Sequence, residues 1–234
     1  HELLAGAPSQ DWLVYAPGLG GTWKSGLCFA RRFAQKGFNV LLLDMRSQGE
    51  SGGTSVGYGH IERRDLVEWC EWIVSQDDDA RIVLAGFSMG AAAVVEASGE
   101  PDLPDQVKAI LSDSAYADLW GEAMYLLGKG NGGASFLLRP TLDIARLAFR
   151  AGRQGLDLAA ASAGEAIGRS STPTFIVCGA DDSAVPKGSS QRLALAAACE
   201  HELLVVPGAG HCCASLADPD AYYGSLFAFL DRVR

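Results

Sequence analysis

Arg81-Ile82-Val83-Leu84-Ala85-Gly86-Phe87-Ser88-Met89-Gly90-Ala91-Ala92-Ala93-Val94-Val95 is the stretch from which the fold can be read. Its first five residues form an aliphatic run of strand length, and the small apolar run from Ala91 has the composition of a helix that follows it. Between them stands Gly-x-Ser-x-Gly. A serine at a sharp strand-to-helix turn needs small residues two positions before and two after it, because the two elements approach each other there. Gly86 and Gly90 meet that need. Such a turn lifts the Ser88 oxygen clear of the sheet and aims the Met89 amide, at the helix N-terminus, at charge developing on a bound carbonyl. The alternative is a glycine-rich turn with an idle serine; the flanking strand and helix argue against it.

A serine hydroxyl needs a base to act as a nucleophile near neutral pH. Of four histidines, His1 is terminal, His60 precedes a helix upstream of the turn, and His201 enters a strand. His211 instead follows a strand, in Gly208-Ala209-Gly210-His211. Loops after the C-terminal ends of parallel strands gather on one edge of a sheet, so His211 is expected on the same edge as Ser88. The base needs a carboxylate to fix its tautomer. The loop Gly179-Ala180-Asp181-Asp182-Ser183-Ala184-Val185-Pro186 offers Asp181 or Asp182; a solvated turn is the plainer explanation for both. Asp113 is a back-up acid, although a helix cap or turn role also explains it. Pro17-Gly18-Leu19-Gly20-Gly21, after the first long strand, lets the backbone approach a reacting carbonyl, with the Leu19 amide as candidate second donor. The rival, a phosphate-binding loop, lacks both Gly-x-Gly-x-x-Gly and a following Gly-Lys-Ser/Thr. An Asp44–Arg46 interaction is expected to shape the site edge.

Strand-sized apolar runs at 12–16, 39–43, 81–85, 107–111, 174–178 and 202–206 lack strict alternation, as strands covered on both faces do. Helical patterns fall at 24–35, 62–74, 90–97 and 191–198, and a last helix starts at Pro219 with Asp218 as N-cap. Tyr223, Leu226, Phe227 and Leu230 would form its apolar face. The alternation predicts an α/β fold with a doubly wound, mostly parallel sheet. Residues 116–170 break it. That segment carries Trp120, Met124, Leu126, Leu127, Phe136, Leu137, Leu142, Ile144, Leu147 and Phe149, too apolar for a tether, and is expected to be a helical cap over a core of residues 1–115 and 171–234. Gly128–Gly133 reads as a kink within it. Arg139, Arg146, Arg150 and Arg153 form one helical stripe, a solvated face or a docking surface for a carboxylate.

The chain has 234 residues, 48% of them hydrophobic, and a formal net charge of -9, which fits one sizeable domain and argues against nucleic-acid partners. No apolar run reaches the roughly 18 residues of a membrane span. The sequence begins at His1, so the expected location is cytoplasmic, or membrane-anchored or exported if an N-terminal segment has been removed. Six cysteines without a Cys-x-x-Cys pair read as free thiols, and His211-Cys212-Cys213 has poor spacing for zinc.

With these residues in view, the chain resembles bacterial α/β-hydrolases of the serine-aminopeptidase-like branch, the YqkD/BEM46-like proteins. Asp44-Met45-Arg46-Ser47-Gln48-Gly49-Glu50-Ser51-Gly52-Gly53 is similar to that family's Asp-x-Arg-Gly-His-Gly-x-Ser-x-Gly run. Gly86-Phe87-Ser88-Met89-Gly90 is similar to its elbow. Asp113-Ser114-Ala115-Tyr116 resembles the lead into its cap. Its Gly-x-x-Asp-x-x-Val-Pro acid loop selects Asp182 over Asp181, and Val206 to His211 with Pro219-x-x-Tyr222 resembles its histidine loop and last helix. Pro17-Gly18 stands where the family has His-Gly, and Ser47-Gln48 where it has Gly-His. The family's early antiparallel strands are only hinted at by residues 2–5. The resemblance implies an α/β-hydrolase fold with a helical cap insertion. It also implies a serine hydrolase that acts on a small-molecule acyl substrate through Ser88, Asp182 and His211, with the Leu19 and Met89 amides as oxyanion hole and no metal or organic cofactor. Carboxylic esters are the expected substrates. Peptidase action on short peptides or acyl transfer would use the same triad, and a non-enzymatic binding module is the remaining alternative.

Overall fold

Successive residues of the central strands enter two different cores, which is why the sequence lacks polar alternation. Trp12, Val14, Ile82, Leu84, Ile110 and Ile176 point into one cluster. Their neighbours Leu13, Tyr15, Val83, Ala85, Leu111 and Phe175 point into the other. Full burial of a large aliphatic or aromatic side chain contributes about 1.5–3 kcal/mol, so a strand buried on both faces favours apolar residues at successive positions.

The computed structural model of the protein describes residues 1–130, 140, 144 and 160–233. The strands are β1 (Glu2–Leu3), β2 (Asp11–Ala16), β3 (Asn39–Leu42), β4 (Arg81–Phe87), β5 (Val107–Asp113), β6 (Thr174–Gly179) and β7 (His201–Val206). They form one sheet in the order β1-β3-β2-β4-β5-β6-β7. β1 runs antiparallel to β3, so the hint at the N-terminus is a real edge strand; the other pairs are parallel. The helices are α1 (Leu27–Ala34), α2 (Glu62–Gln76), α3 (Met89–Ser98), α4 (Leu119–Gly130), α5 (Ala163–Ile167), α6 (Ser189–Ala196), α7 (Ala214–Ala217) and α8 (Pro219–Val233). α2, α3 and α6 supply Leu66, Val67, Ile73, Val94 and Leu193 to one face. α1 and α8 supply Phe29, Phe33, Leu226 and Phe229 to the other. This is the doubly wound α/β sheet that the strand–helix alternation predicts.

The departures from expectation are local and have packing causes. The expected helix at 24–35 is a 3-10 turn, Trp23–Gly26, followed by α1. A side chain at Gly26 would run into Tyr15 and Leu42, so the chain presses backbone against the sheet there before the helix proper starts. α6 starts two residues early, and the Ala198 amide donates to the Ile167 carbonyl at 3.2 Å instead of continuing the helix. α8 is capped as expected, with the Asp218 carboxylate accepting the Ala221 amide at 3.0 Å. Its buried face, however, carries Tyr222 and Phe229, leaving Tyr223 and Phe227 only partly buried. Arg46 does not pair with Asp44 but donates from Nε to Asp65 on α2 at 2.6 Å. Asp44 instead accepts the Trp23 and Glu50 amides at 2.7 and 2.8 Å, tying two loops together.

α4 starts the segment expected to form a cap. α5, near its end, places Ala163 and Ile167 in the core cluster of α3. Phe136, Leu137, Leu142, Leu147, Phe149, the four arginines and the second half of the Gly128–Gly133 kink lie outside the described residues. All six cysteines are free. Among the described residues no helix is long and apolar enough to cross a membrane.

Candidate active site

β2 lies between β3 and β4, so the chain leaves β2 toward one side of the sheet and β4 toward the other. Open α/β sheets hold their ligands in the crevice at such a switch point. Two loops meet there: the glycine loop after β2 and the turn after β4. A Cβ on Gly18 would sit 3.1 Å from the Ser88 Cβ and 3.2 Å from the Phe87 carbonyl oxygen, so the glycine loop passes directly over the serine.

Ser88 is the residue between β4 and α3, with φ 55 and ψ -118. A non-glycine residue held there stores about 1–3 kcal/mol of strain, and such strain concentrates at functional sites. It is imposed by contact. A Cβ at Gly86 would overlap the Gly90 carbonyl, and one at Gly90 would overlap the carbonyl of Ala16. Met89 opens α3, and the first amides of a helix lack intrahelical acceptors. Its amide is therefore available beside Ser88. Leu19 lines the same cavity. Its neighbour Gly20 donates its amide to the Gln48 side chain, and Gly21 donates to the Gly18 carbonyl at 3.0 Å, which together fix the loop. Gln48 is a residue whose role the sequence reading missed: only its departure from the family's histidine drew attention to the position.

β6 and β7 bring the acid and the imidazole to the same edge. A Cβ on Gly179 would overlap the Ala209 carbonyl, and the Asp181 amide donates to that carbonyl at 3.0 Å, so the two loops are packed backbone to backbone. Asp181 itself faces solvent. Asp182 lies 2.8 Å from His211, Oδ2 to Nδ1, and His211 Nε2 lies 2.8 Å from Ser88 Oγ. An ionised carboxylate only accepts, so Nδ1 carries the proton and Nε2 is left to accept from the serine. Burial pushes the Asp182 carboxyl up, but hydrogen bonds from His211 and from the Ala184 and Val185 amides outweigh it and hold the group below its ordinary range. His211 commits both ring nitrogens to this chain, which leaves neither for a metal.

The other candidates are elsewhere. His1 stacks on Trp23, His60 pairs with buried Glu96 at 2.6 Å, and His201 contacts the Cys199 carbonyl at 3.0 Å. Asp113 is fully buried at the end of β5, in neither a turn nor a helix cap. Its oxygens accept the hydroxyls of Ser114 and Tyr222, each at 3.0 Å, and burial pushes its carboxyl up to about 6.

Ser88 and His211 open onto a cavity of about 510 Å³ walled by Leu19, Tyr58, Tyr116, Trp120, Leu126 and Val185. Tyr58, at φ 51, is held by the Tyr116 hydroxyl, which donates to its carbonyl at 2.6 Å. Tyr58 was not foreseen either, since nothing in its local sequence marks a loop residue that will face the cavity.

Comparison with known proteins agrees with this architecture. A family model described as the Alpha/beta hydrolase family matches residues 13–224. The chain is 23% identical over 210 residues to the uncharacterized protein YqkD of Bacillus subtilis (strain 168), covering 89% of this chain and 67% of that protein. In structure it is similar to the Pyrococcus furiosus esterase Pf2001, with a TM-score of 0.75, 19% identity and coverage of 96% of this chain and 84% of the other. It is also similar to the enol-lactonase of Burkholderia xenovorans LB400, with a TM-score of 0.67, 18% identity and coverage of 99% and 96%. The structural likenesses speak to the fold. The family match spans both halves of the sheet and every loop that converges on Ser88, and the chain belongs to the alpha/beta hydrolase family.

Proposed function

We propose that the protein is a serine hydrolase of carboxylic esters that works through an acyl-enzyme. The observation that carries this reading is the hydrogen-bonded sequence Ser88 Oγ, His211 Nε2, His211 Nδ1, Asp182 Oδ2 at the mouth of an apolar cavity. His211 takes the Ser88 proton as Oγ attacks the acyl carbon, and Asp182 stabilises the imidazolium. The Met89 and Leu19 amides hold the oxyanion as the carbonyl becomes tetrahedral. His211 then hands its proton to the leaving alcohol. It next draws a proton from water, which attacks the acyl carbon, and returns that proton to the Ser88 oxygen as the acid departs. No step calls for a metal or an organic cofactor. We read the part of residues 116–170 that opens with α4, which supplies Trp120 and Leu126 to the cavity wall, as the cap that shapes the acyl site, while α5 belongs to the core.

The apolar walls predict a preference for acyl chains longer than acetyl. Each methylene removed from water is worth about 0.8 kcal/mol, so going from p-nitrophenyl acetate to butyrate is expected to raise kcat/KM about tenfold. The check is a series of p-nitrophenyl esters of increasing acyl length, run beside aminoacyl p-nitroanilides. A profile that falls from acetate onward would contradict the assignment of the cavity. Faster turnover of the anilides than of every ester would turn the reading toward peptidase chemistry.

A further inference from the structure

Five non-glycine residues among those described have positive φ, and three of them lie in one hydrogen-bonded cluster: Ser88 (φ 55), Ser114 (φ 61) and Cys212 (φ 52). Ser114 follows the last residue of β5 and is fully buried, as are Asp113 and Tyr222. The Ser114 amide donates to the Val177 carbonyl at 2.9 Å, which anchors it on β6. Its hydroxyl donates to Asp113 Oδ1 at 3.0 Å and accepts the amide of Cys212 at 3.1 Å. The second Asp113 oxygen accepts from Tyr222 on α8. The backbone carbonyl of the same Asp113 accepts the Ser88 amide at 2.8 Å.

The directions of these bonds matter. A carboxylate only accepts, so the single hydroxyl proton of Ser114 is committed to Asp113, and its lone pairs are turned to the Cys212 amide. Cys212 directly follows His211. One strand end thus grips the nucleophile through a carbonyl and the imidazole loop through a hydroxyl. We infer that Ser114, oriented by Asp113, is a positioning residue that sets the His211 ring against Ser88. The inference rests on the proposed roles of Ser88 and His211. A filler at this place would need neither a buried carboxylate nor a side chain at φ 61, since glycine takes that conformation without strain.

The test is a pair of variants, Ser114→Ala and Ser114→Gly. Both remove the hydroxyl, and glycine also suits the backbone, so the second keeps the question open if the first folds poorly. kcat and KM on p-nitrophenyl butyrate are measured per active site, counted by fluorophosphonate titration, so that misfolded protein does not enter the rate. A displacement of the base by about 1 Å costs on the order of 100-fold in rate. The expected result is therefore a fall in kcat per titrated site of about 10- to 100-fold in both variants, with KM within about twofold of the wild type. A kcat per site in Ser114→Gly equal to that of the wild type, or a loss confined to KM, overturns the inference. Wild-type protein that neither turns over the ester nor takes up the fluorophosphonate overturns the reading beneath it, and this inference with it.

Discussion

Ser88→Ala is expected to lower kcat on p-nitrophenyl butyrate by about 10⁶-fold, the scale seen when the nucleophile of a serine triad is removed. The loss should be this large because His211 and Asp182 have no other nucleophile to serve. Their hydrogen-bonded chain ends on the Ser88 oxygen. Any residual rate would come from the proposed oxyanion donors, the Leu19 and Met89 amides, and from the cavity, which the substitution leaves in place. Alanine keeps the Cβ and the backbone of the turn, so the variant should unfold at nearly the same denaturant concentration as the wild type. Steady-state hydrolysis and a urea titration on the same preparation check both halves of the expectation. A folded variant with most of its activity intact would remove Ser88 from the mechanism.

Gly90→Ala is expected to destabilise the fold strongly, as a methyl at Gly86, the other glycine of the elbow, also would. The added Cβ would overlap the carbonyls of Ala16 and Pro17, which belong to the end of β2 and the loop after it. Overpacking in a core typically costs about 1–3 kcal/mol, because side chains can shift. Here the obstruction is backbone in the central strands, and the loss should exceed that range. Chemical denaturation measures it, with Gly224→Ala as the control. Gly224 lies in α8 with open space around its Cα, and alanine there should gain about 0.5–1 kcal/mol. Gly90→Ala with wild-type stability would mean that β2, β4 and α3 are not packed as closely as the geometry of the turn requires.

The two glycines, the serine between them and the strand–helix change were legible because a single steric requirement writes all of them into five adjacent residues. The two-sided sheet was legible for a similar reason: burial on both faces leaves 12–16, 82–85 and 175–178 without alternating polar residues. Asp182 and His211 could be placed on the right edge because parallel topology sends every strand's following loop there. What could not be read were pairings between distant segments that no strand-end rule places. Gln48 acts on Gly20 across 28 positions, and Ser114 on Cys212 across 98. Neither pairing leaves a local pattern. The same blindness misassigned Arg46, whose partner Asp65 lies on a helix and not on the adjacent strand end. It also misjudged Asp113, read as a back-up acid or a helix cap or turn: only the tertiary structure reveals that both of its oxygens are met by buried hydroxyls.

The most direct test of the central claim is to treat the protein with a fluorophosphonate, digest it, and locate the adduct by peptide mass spectrometry. One adduct per chain on the Ser88 oxygen, formed far more slowly in His211→Gln protein, is the predicted result. An adduct on a different residue, or wild-type protein that remains unmodified while fully folded, would contradict it.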